Sequence, residues 1–312
     1  MSIPAGALYP SRRLSLRAQL LRLIAGLVFR PVLNADLPPA VVRARLLRLS
    51  KASRLPLPAG SRIQAAELGG VPVEWMRNDR GTASASLLYL HGGAYVLGAP
   101  TMYREMTARL AQAGLDVAVL DYRLAPEHPF PAAVDDALAA YRALLAAGHS
   151  PRRLVIGGDS AGGGLTLACA LAIRDAGLPQ PAALVTLSPW TDLSLSGASH
   201  TRLAGQELLL REPLLRRSAA AYLAGATPLH PLASPLFADL HALAPLLIQV
   251  ADGEILLDDA LRLADKARAA GVAVELQVWP RLWHVWQIFA GKMPEADAAL
   301  AQILRFIREH ST

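Results

Sequence analysis

The sequence predicts an α/β fold: a mostly parallel, eight-stranded sheet flanked by helices on both faces, with a helical cap above it. Three observations predict this. Short apolar runs alternate with longer helical stretches along most of the chain. The runs are continuously apolar, as strands covered on both faces require. Two stretches, one at the N-terminus and one near 190–239, break the alternation.

Residues 1–55 read as two arginine-rich amphipathic helices, separated by Pro31 and Pro38-Pro39 around Asn34 and Asp36. Within them, 14–29 is the one stretch to weigh as a signal peptide or membrane anchor. Arg17 and Arg22 interrupt it, while Leu20, Leu21, Ile24, Leu27 and Val28 recur at helical spacing. That pattern fits an interfacial or lid helix, too short and too charged to span a bilayer. No small-residue cleavage site follows cleanly, so a cytoplasmic protein without stable membrane insertion is expected.

The first strand signals are 63–68 and 71–76, a hairpin about Gly69-Gly70. Further strands are expected at 86–90, 116–120, 154–156, 183–187, 246–250 and 272–278, with helices at 101–113, 132–146, 161–176, 258–270 and 294–310. The stretch 190–239 has a turn-rich start at Ser194, Ser196 and Gly197, a helix over 212–223 and a proline-punctuated tail. It is expected as a second cap segment beside 1–55, leaving 56–189 and 240–312 as the core. In such sheets the active site lies at the carboxyl ends of the strands.

With 312 residues, 53% hydrophobic and 18% charged, the chain can bury one large core. A single cysteine, Cys169, excludes an intrachain disulfide framework and a thiolate metal cluster, and suits a reducing compartment. The net charge of +6 comes mostly from arginines scattered among apolar residues. No basic stripe for nucleic acid stands out.

Residues 155–164, Val-Ile-Gly-Gly-Asp-Ser-Ala-Gly-Gly-Gly, run from a strand through a glycine-flanked serine into a helix. This is the G-x-S-x-G nucleophile elbow of an α/β hydrolase. The turn strains the serine backbone, and Gly158 and Gly162 must lack side chains where strand and helix approach. Ser160 then stands at a helix N-terminus, whose dipole favours developing negative charge. A phosphate loop would want a lysine or a G-x-G-x-x-G order, and neither is present.

Upstream, a strand ends in His91-Gly92-Gly93-Ala94. Glycines let backbone N–H groups approach an oxyanion, and each donor contributes about 3–4 kcal/mol to acyl transfer. The oxyanion-hole candidates are Gly92, Gly93, Ala94 and Ala161, with Gly93, Ala94 and Ala161 as the expected donors. His91 precedes the serine and is read as a turn-stabilising residue, because the fold's order is nucleophile, acid, base.

Between these motifs lies Asp121-Tyr-Arg-Leu-Ala-Pro-Glu-His-Pro-Phe-Pro-Ala132. With it, the chain resembles the hormone-sensitive-lipase-like (bacterial type IV) carboxylesterases from about Leu87 to the C-terminus. The resemblance implies an α/β hydrolase with a cap, activity on short- to medium-chain acyl esters, and allows a homodimer. One departure is Ala94, where the family's HGGG motif has its third glycine. Tyr95 and Tyr122 are expected near the pocket, with core packing as the alternative.

The base must follow Ser160. His200, His230 and His241 fall in the second cap segment or its return, and His310 in the last helix. His284, after the last strand and before the last helix, occupies the position where this fold delivers its base. For the acid, the family carries D-P-L-R-D after the seventh strand. Aligned on Asp258, its first aspartate falls on Glu254, with Asp252 as the alternative. Asp258 or Asp259 would cap the following helix, and Asp159 would lend a supporting hydrogen bond.

The expected reaction is two-step acyl transfer through Ser160, with His284 as base and Glu254 holding the imidazole. The partner is a small-molecule ester, and no metal or organic cofactor is needed. An amidase, lactonase, acyltransferase or surface-acting lipase would carry the same motifs.

Overall fold

The computed structural model describes residues 3–4, 6–7, 13–79 and 81–311. Eight strands form one sheet: β1 (Ser61–Leu68), β2 (Val71–Asn78), β3 (Ala85–Leu90), β4 (Leu115–Leu120), β5 (Leu154–Asp159), β6 (Ala183–Leu187), β7 (Leu246–Ala251) and β8 (Val274–Trp279). Their order is β1-β2-β4-β3-β5-β6-β7-β8, with β2 antiparallel to both neighbours and every other pair parallel. The hairpin turns on Gly69 and Gly70, both at positive φ.

The unbroken apolar runs follow from burial on two sides. In β3, Leu88 and Leu90 enter one core while Leu87 and Tyr89 enter the other, as a two-residue period demands. Helices α5 (Ala132–Ala146), α6 (Ala161–Asp175) and α9 (Leu257–Ala269) supply the first core; α4 (Arg104–Gln112) and α10 (Pro294–His310) supply the second. Helix α4 starts later than the spacing predicts, because Pro100–Met102 forms a separate 3-10 turn.

At the N-terminus, the break expected at Pro31 does not occur. Helix α1 (Leu16–Ile24) passes through a π-turn over Ala25–Phe29 directly into α2 (Arg30–Leu33), and Pro31 sits in the first turn of α2. The π-turn, in which the Arg30 N–H reaches back to the Ala25 carbonyl, stands just before this proline, the kind of local irregularity that lets a helical run continue past a residue with no N–H. The true break precedes α3 (Pro39–Ala52). Two polar anchors fix these helices. Ser15 donates to the Glu295 carboxylate through its N–H (2.6 Å) and hydroxyl (2.9 Å). Arg43 on α3 donates to the carbonyls of Val96 and Ala125 (each 2.7 Å) and pairs with Glu127.

The stretch 190–239 divides in two. Trp190, Thr191 and Asp192 are buried, and the backbone N–H groups of Thr191 and Asp192 both donate to Asp259. The short α7 (Ser199–Arg202) begins where Asp258 accepts from the Ser199 N–H. The capping expected of Asp258 and Asp259 therefore serves this neighbouring segment, and in return the Ser199 hydroxyl accepts from the Asp258 N–H (3.1 Å) in the first turn of α9. Helix α8 (Glu212–Leu223) carries Leu214 and Leu215 to the cavity described below.

Candidate active site

Strand β5 delivers Ser160 at φ 54°, ψ −121°, outside the regions L-residues favour. The strain is held by backbone bonds: the Ser160 N–H donates to the Leu187 carbonyl (2.8 Å), and its carbonyl accepts from Trp190 (2.9 Å). Both flanking glycines are obligatory. A Cβ on Gly162 would lie 1.9 Å from the Leu90 carbonyl oxygen, and one on Gly158 2.4 Å from that of Gly162.

Ser160 Oγ lies 2.9 Å from His284 Nε2, and His284 Nδ1 lies 2.7 Å from Glu254 Oε2. All three residues are buried. The other Glu254 oxygen accepts from the Ser188 hydroxyl and the Ala251 N–H, each at 2.7 Å. Asp252, the alternative acid, instead accepts from the Arg281 N–H at 2.7 Å. Burial alone would depress the His284 pKa, but the hydrogen bond and charge of Glu254, with Glu207 and Asp159 behind it, hold it above the ordinary value. Of the other downstream histidines, His200 lies against Asp259 and His241 pairs with Asp239.

Among the described residues nothing accepts from the N–H groups of Gly93 or Ala94, and both line the cavity that holds Ser160. Ala161, first in α6, likewise has no upstream helical acceptor. Gly92 departs from expectation as an oxyanion candidate. Its N–H already donates to Asp159 Oδ1 at 3.0 Å, with Tyr103 Oη at 2.9 Å, so no free donor remains there. Its role is close approach, since a Cβ would meet Asp159 at 2.2 Å. Ala94 has φ 54°, the left-handed conformation that suits the family's glycine.

The turn is braced from behind. Asp159 also accepts from Tyr89 (2.8 Å) and Tyr103 (3.0 Å), and burial raises its pKa to about 6 against those bonds. The Tyr122 hydroxyl donates to the His91 carbonyl at 2.7 Å, and its ring stacks on the imidazole at 4.4 Å. His91 Nδ1 lies 2.9 Å from the Gly92 carbonyl, and burial lowers its pKa to about 4, so it remains a neutral structural group. Arg123 clamps Asp136 at 2.7 Å. Tyr95 stacks on Tyr222 at 3.9 Å in the core and does not line the cavity.

Two residues escaped sequence reasoning. Ser188 ties the acid to the loop that carries the base, donating to Glu254 and accepting from the Val285 N–H at 3.2 Å. Its position at the carboxyl end of the strand beside the elbow was an available signal. Glu207 is buried and accepts from Leu209 (2.8 Å), Leu210 (3.2 Å) and Ile255 (3.0 Å) N–H groups, tying the 190–239 stretch to the acid loop. Burial raises its pKa, and the nearby Glu254 charge adds to this. Nothing local in the sequence marks it.

A family model of the alpha/beta hydrolase fold matches residues 87–288, which include the turn, the elbow, the acid loop and His284. A crystal structure of an esterase from the bacterial hormone-sensitive lipase family superposes with a TM-score of 0.89 at 42% identity, covering 93% of this chain and 98% of that one. The chain belongs to the hormone-sensitive-lipase-like family of α/β hydrolases. Two bacterial hydrolases are similar in sequence. An acetyl-hydrolase of Streptomyces hygroscopicus is 49% identical over 242 residues, 77% of this chain and 81% of the relative. An ethyl acetate hydrolase of Pseudomonas putida is 36% identical over 242 residues, covering 75% and 76%.

Proposed function

We propose that this chain is a carboxylesterase acting on short- to medium-chain acyl esters, with Ser160 as nucleophile, His284 as general base and Glu254 as the orienting acid. The observation that carries the reading is the unbroken relay Glu254–His284–Ser160, at 2.7 and 2.9 Å, opening into an apolar cavity of about 160 Å³. Ser160 attacks the ester carbonyl as His284 takes its proton; Glu254 holds the imidazole tautomer and stabilises imidazolium. The oxyanion rests on the N–H groups of Gly93, Ala94 and Ala161. His284 protonates the leaving alcohol, and water repeats the cycle to free the acid.

The cavity supports the substrate class. Its volume falls below the ~300–1,000 Å³ of sites for drug-sized ligands, which favours short acyl groups. On its charged rim Arg104 pairs with Glu74 and Lys292 with Glu105, while Arg54 donates to the Thr101 carbonyl (3.0 Å) and has no carboxylate partner among the described residues. Phe29, Leu33 and Leu46 from the N-terminal helices and Leu210, Leu214 and Leu215 from the 190–239 stretch line it, which supports reading 1–55 and the later part of 190–239 as a cap over a 56–189 and 240–312 core. The lone Cys169 is buried and free, in keeping with a reducing, cytoplasmic setting.

Hydrolysis of p-nitrophenyl esters from acetate to palmitate tests this, with Ser160→Ala as control. The expected profile favours short chains and vanishes in the variant. Undiminished hydrolysis by Ser160→Ala removes the proposed nucleophile.

A further inference from the structure

We infer that the outer face of the N-terminal helices is a docking surface for an anionic phospholipid bilayer. The helices have two apolar sides, and among the described residues only one is covered. Ala18 and Ala25 are buried beneath α1, with Phe29 lining the cavity. On the opposite side, Leu16, Leu20, Leu23 and Leu27 are 83, 58, 59 and 68% exposed. Their spacing of four, three and four residues places them in one stripe about 16 Å long, which exposed Ile24 and Val28 widen. Of the twelve large hydrophobic side chains exposed among the described residues, ten lie within 16–55. A helix apolar on both sides calls for cover on both, and apolar surface gathered in one place marks an interaction site.

Charge selects the occupant. Residues 16–55 hold eight Arg and Lys against one acid, Asp36, a net +7 where the whole chain is +6, so the remainder sums to −1. The arginines scattered along the sequence are therefore background everywhere except here. Arg17, Arg30, Arg45, Arg48 and Lys51 are exposed and have no carboxylate partner among the described residues. A second copy docking through this face would bring two such segments together, like charge against like. A nucleic acid would leave the leucine stripe uncovered. A bilayer rich in anionic headgroups meets both features: acyl chains take the leucines and phosphates attract the cations. No helix among the described residues is long and apolar enough to cross a membrane, so the attachment is peripheral. Phe29, Leu33, Leu46 and Ser50 on these same helices line the catalytic cavity, so docking sets the cavity beside the lipid phase.

The test is co-sedimentation of the full chain with vesicles of phosphatidylcholine, with or without about one-third phosphatidylglycerol, at low and at about 0.5 M salt. Retention should be about tenfold stronger on anionic vesicles and should weaken with salt. The pairs Leu20→Gln with Leu27→Gln, and Arg45→Glu with Arg48→Glu, should each weaken retention by about tenfold or more. Both should hydrolyse soluble p-nitrophenyl acetate at the wild-type rate, showing that they fold. The readout is binding, so it stands apart from the assignment of the nucleophile. Absent retention, equal retention on both vesicle types, or unaffected variants overturn the inference. A dimer that dissociates in the leucine pair, without vesicle binding, gives the face to a second copy and overturns it too.

Discussion

Replacing Glu254 with glutamine changes one atom and should disable the enzyme. Glu254 Oε1 is fixed by two donors, the Ser188 hydroxyl and the Ala251 N–H, each at 2.7 Å. The backbone N–H cannot reverse its role, so a glutamine must keep its carbonyl oxygen on that side. Its NH2 group then faces His284 Nδ1, 2.7 Å from where Oε2 stood. Only the tautomer with an unprotonated Nδ1 and a protonated Nε2 accommodates it, and that tautomer cannot take the proton of Ser160 Oγ. The expected loss is about 10⁴ in kcat, or about 5 kcal/mol of barrier. Asp252→Asn retains an acceptor for the Arg281 N–H and should lower kcat by no more than about threefold. The assay is steady-state and pre-steady-state hydrolysis of p-nitrophenyl acetate, with thermal unfolding to show that both variants fold. If Glu254→Gln keeps near wild-type kcat while Asp252→Asn loses it, the assignment of the acid is refuted.

Three further outcomes follow from the same geometry. Gly93→Ala would set a Cβ 2.2 Å from the Leu97 carbonyl oxygen, so the turn must shift; kcat should fall about 10²–10³-fold, measured on the soluble ester. At Ala94, φ 54° tolerates glycine but strains a β-branched side chain. Ala94→Gly should stay active, while Ala94→Val should lose about 1–3 kcal/mol in denaturant unfolding and much of its kcat. Catalysis needs neutral His284, whose pKa is held above 6.5, so kcat/KM should fall as pH drops through a midpoint above that value. Glu207→Gln removes an anion that favours imidazolium, so the midpoint should move to lower pH; a midpoint that stays put or rises would contradict the role given to Glu207.

Much of this was legible in the sequence because it is written in local pattern. Continuous apolar runs report two-sided burial, and glycines at 158 and 162 report a turn with no room for Cβ. The order of serine, carboxylate and histidine follows from the order of strands. The choice between Glu254 and Asp252 was posed by the sequence and rests on which carboxylate the loop turns toward Nδ1. Gly92 looked like its neighbour Gly93, yet its N–H is spent on Asp159, a partner 67 residues away.

By itself, then, the sequence determined the sheet and its helices, the elbow and the oxyanion turn, because each leaves a local pattern of apolar spacing or of glycines in the chain. Tertiary structure decided which groups are free and which are engaged. It committed Gly92 inward, brought Ser188 and Glu207 behind the relay, carried α1 through Pro31 and turned the Leu16–Leu27 stripe toward solvent. Those outcomes depend on which distant surface arrives to bury a group, and no local spacing encodes that.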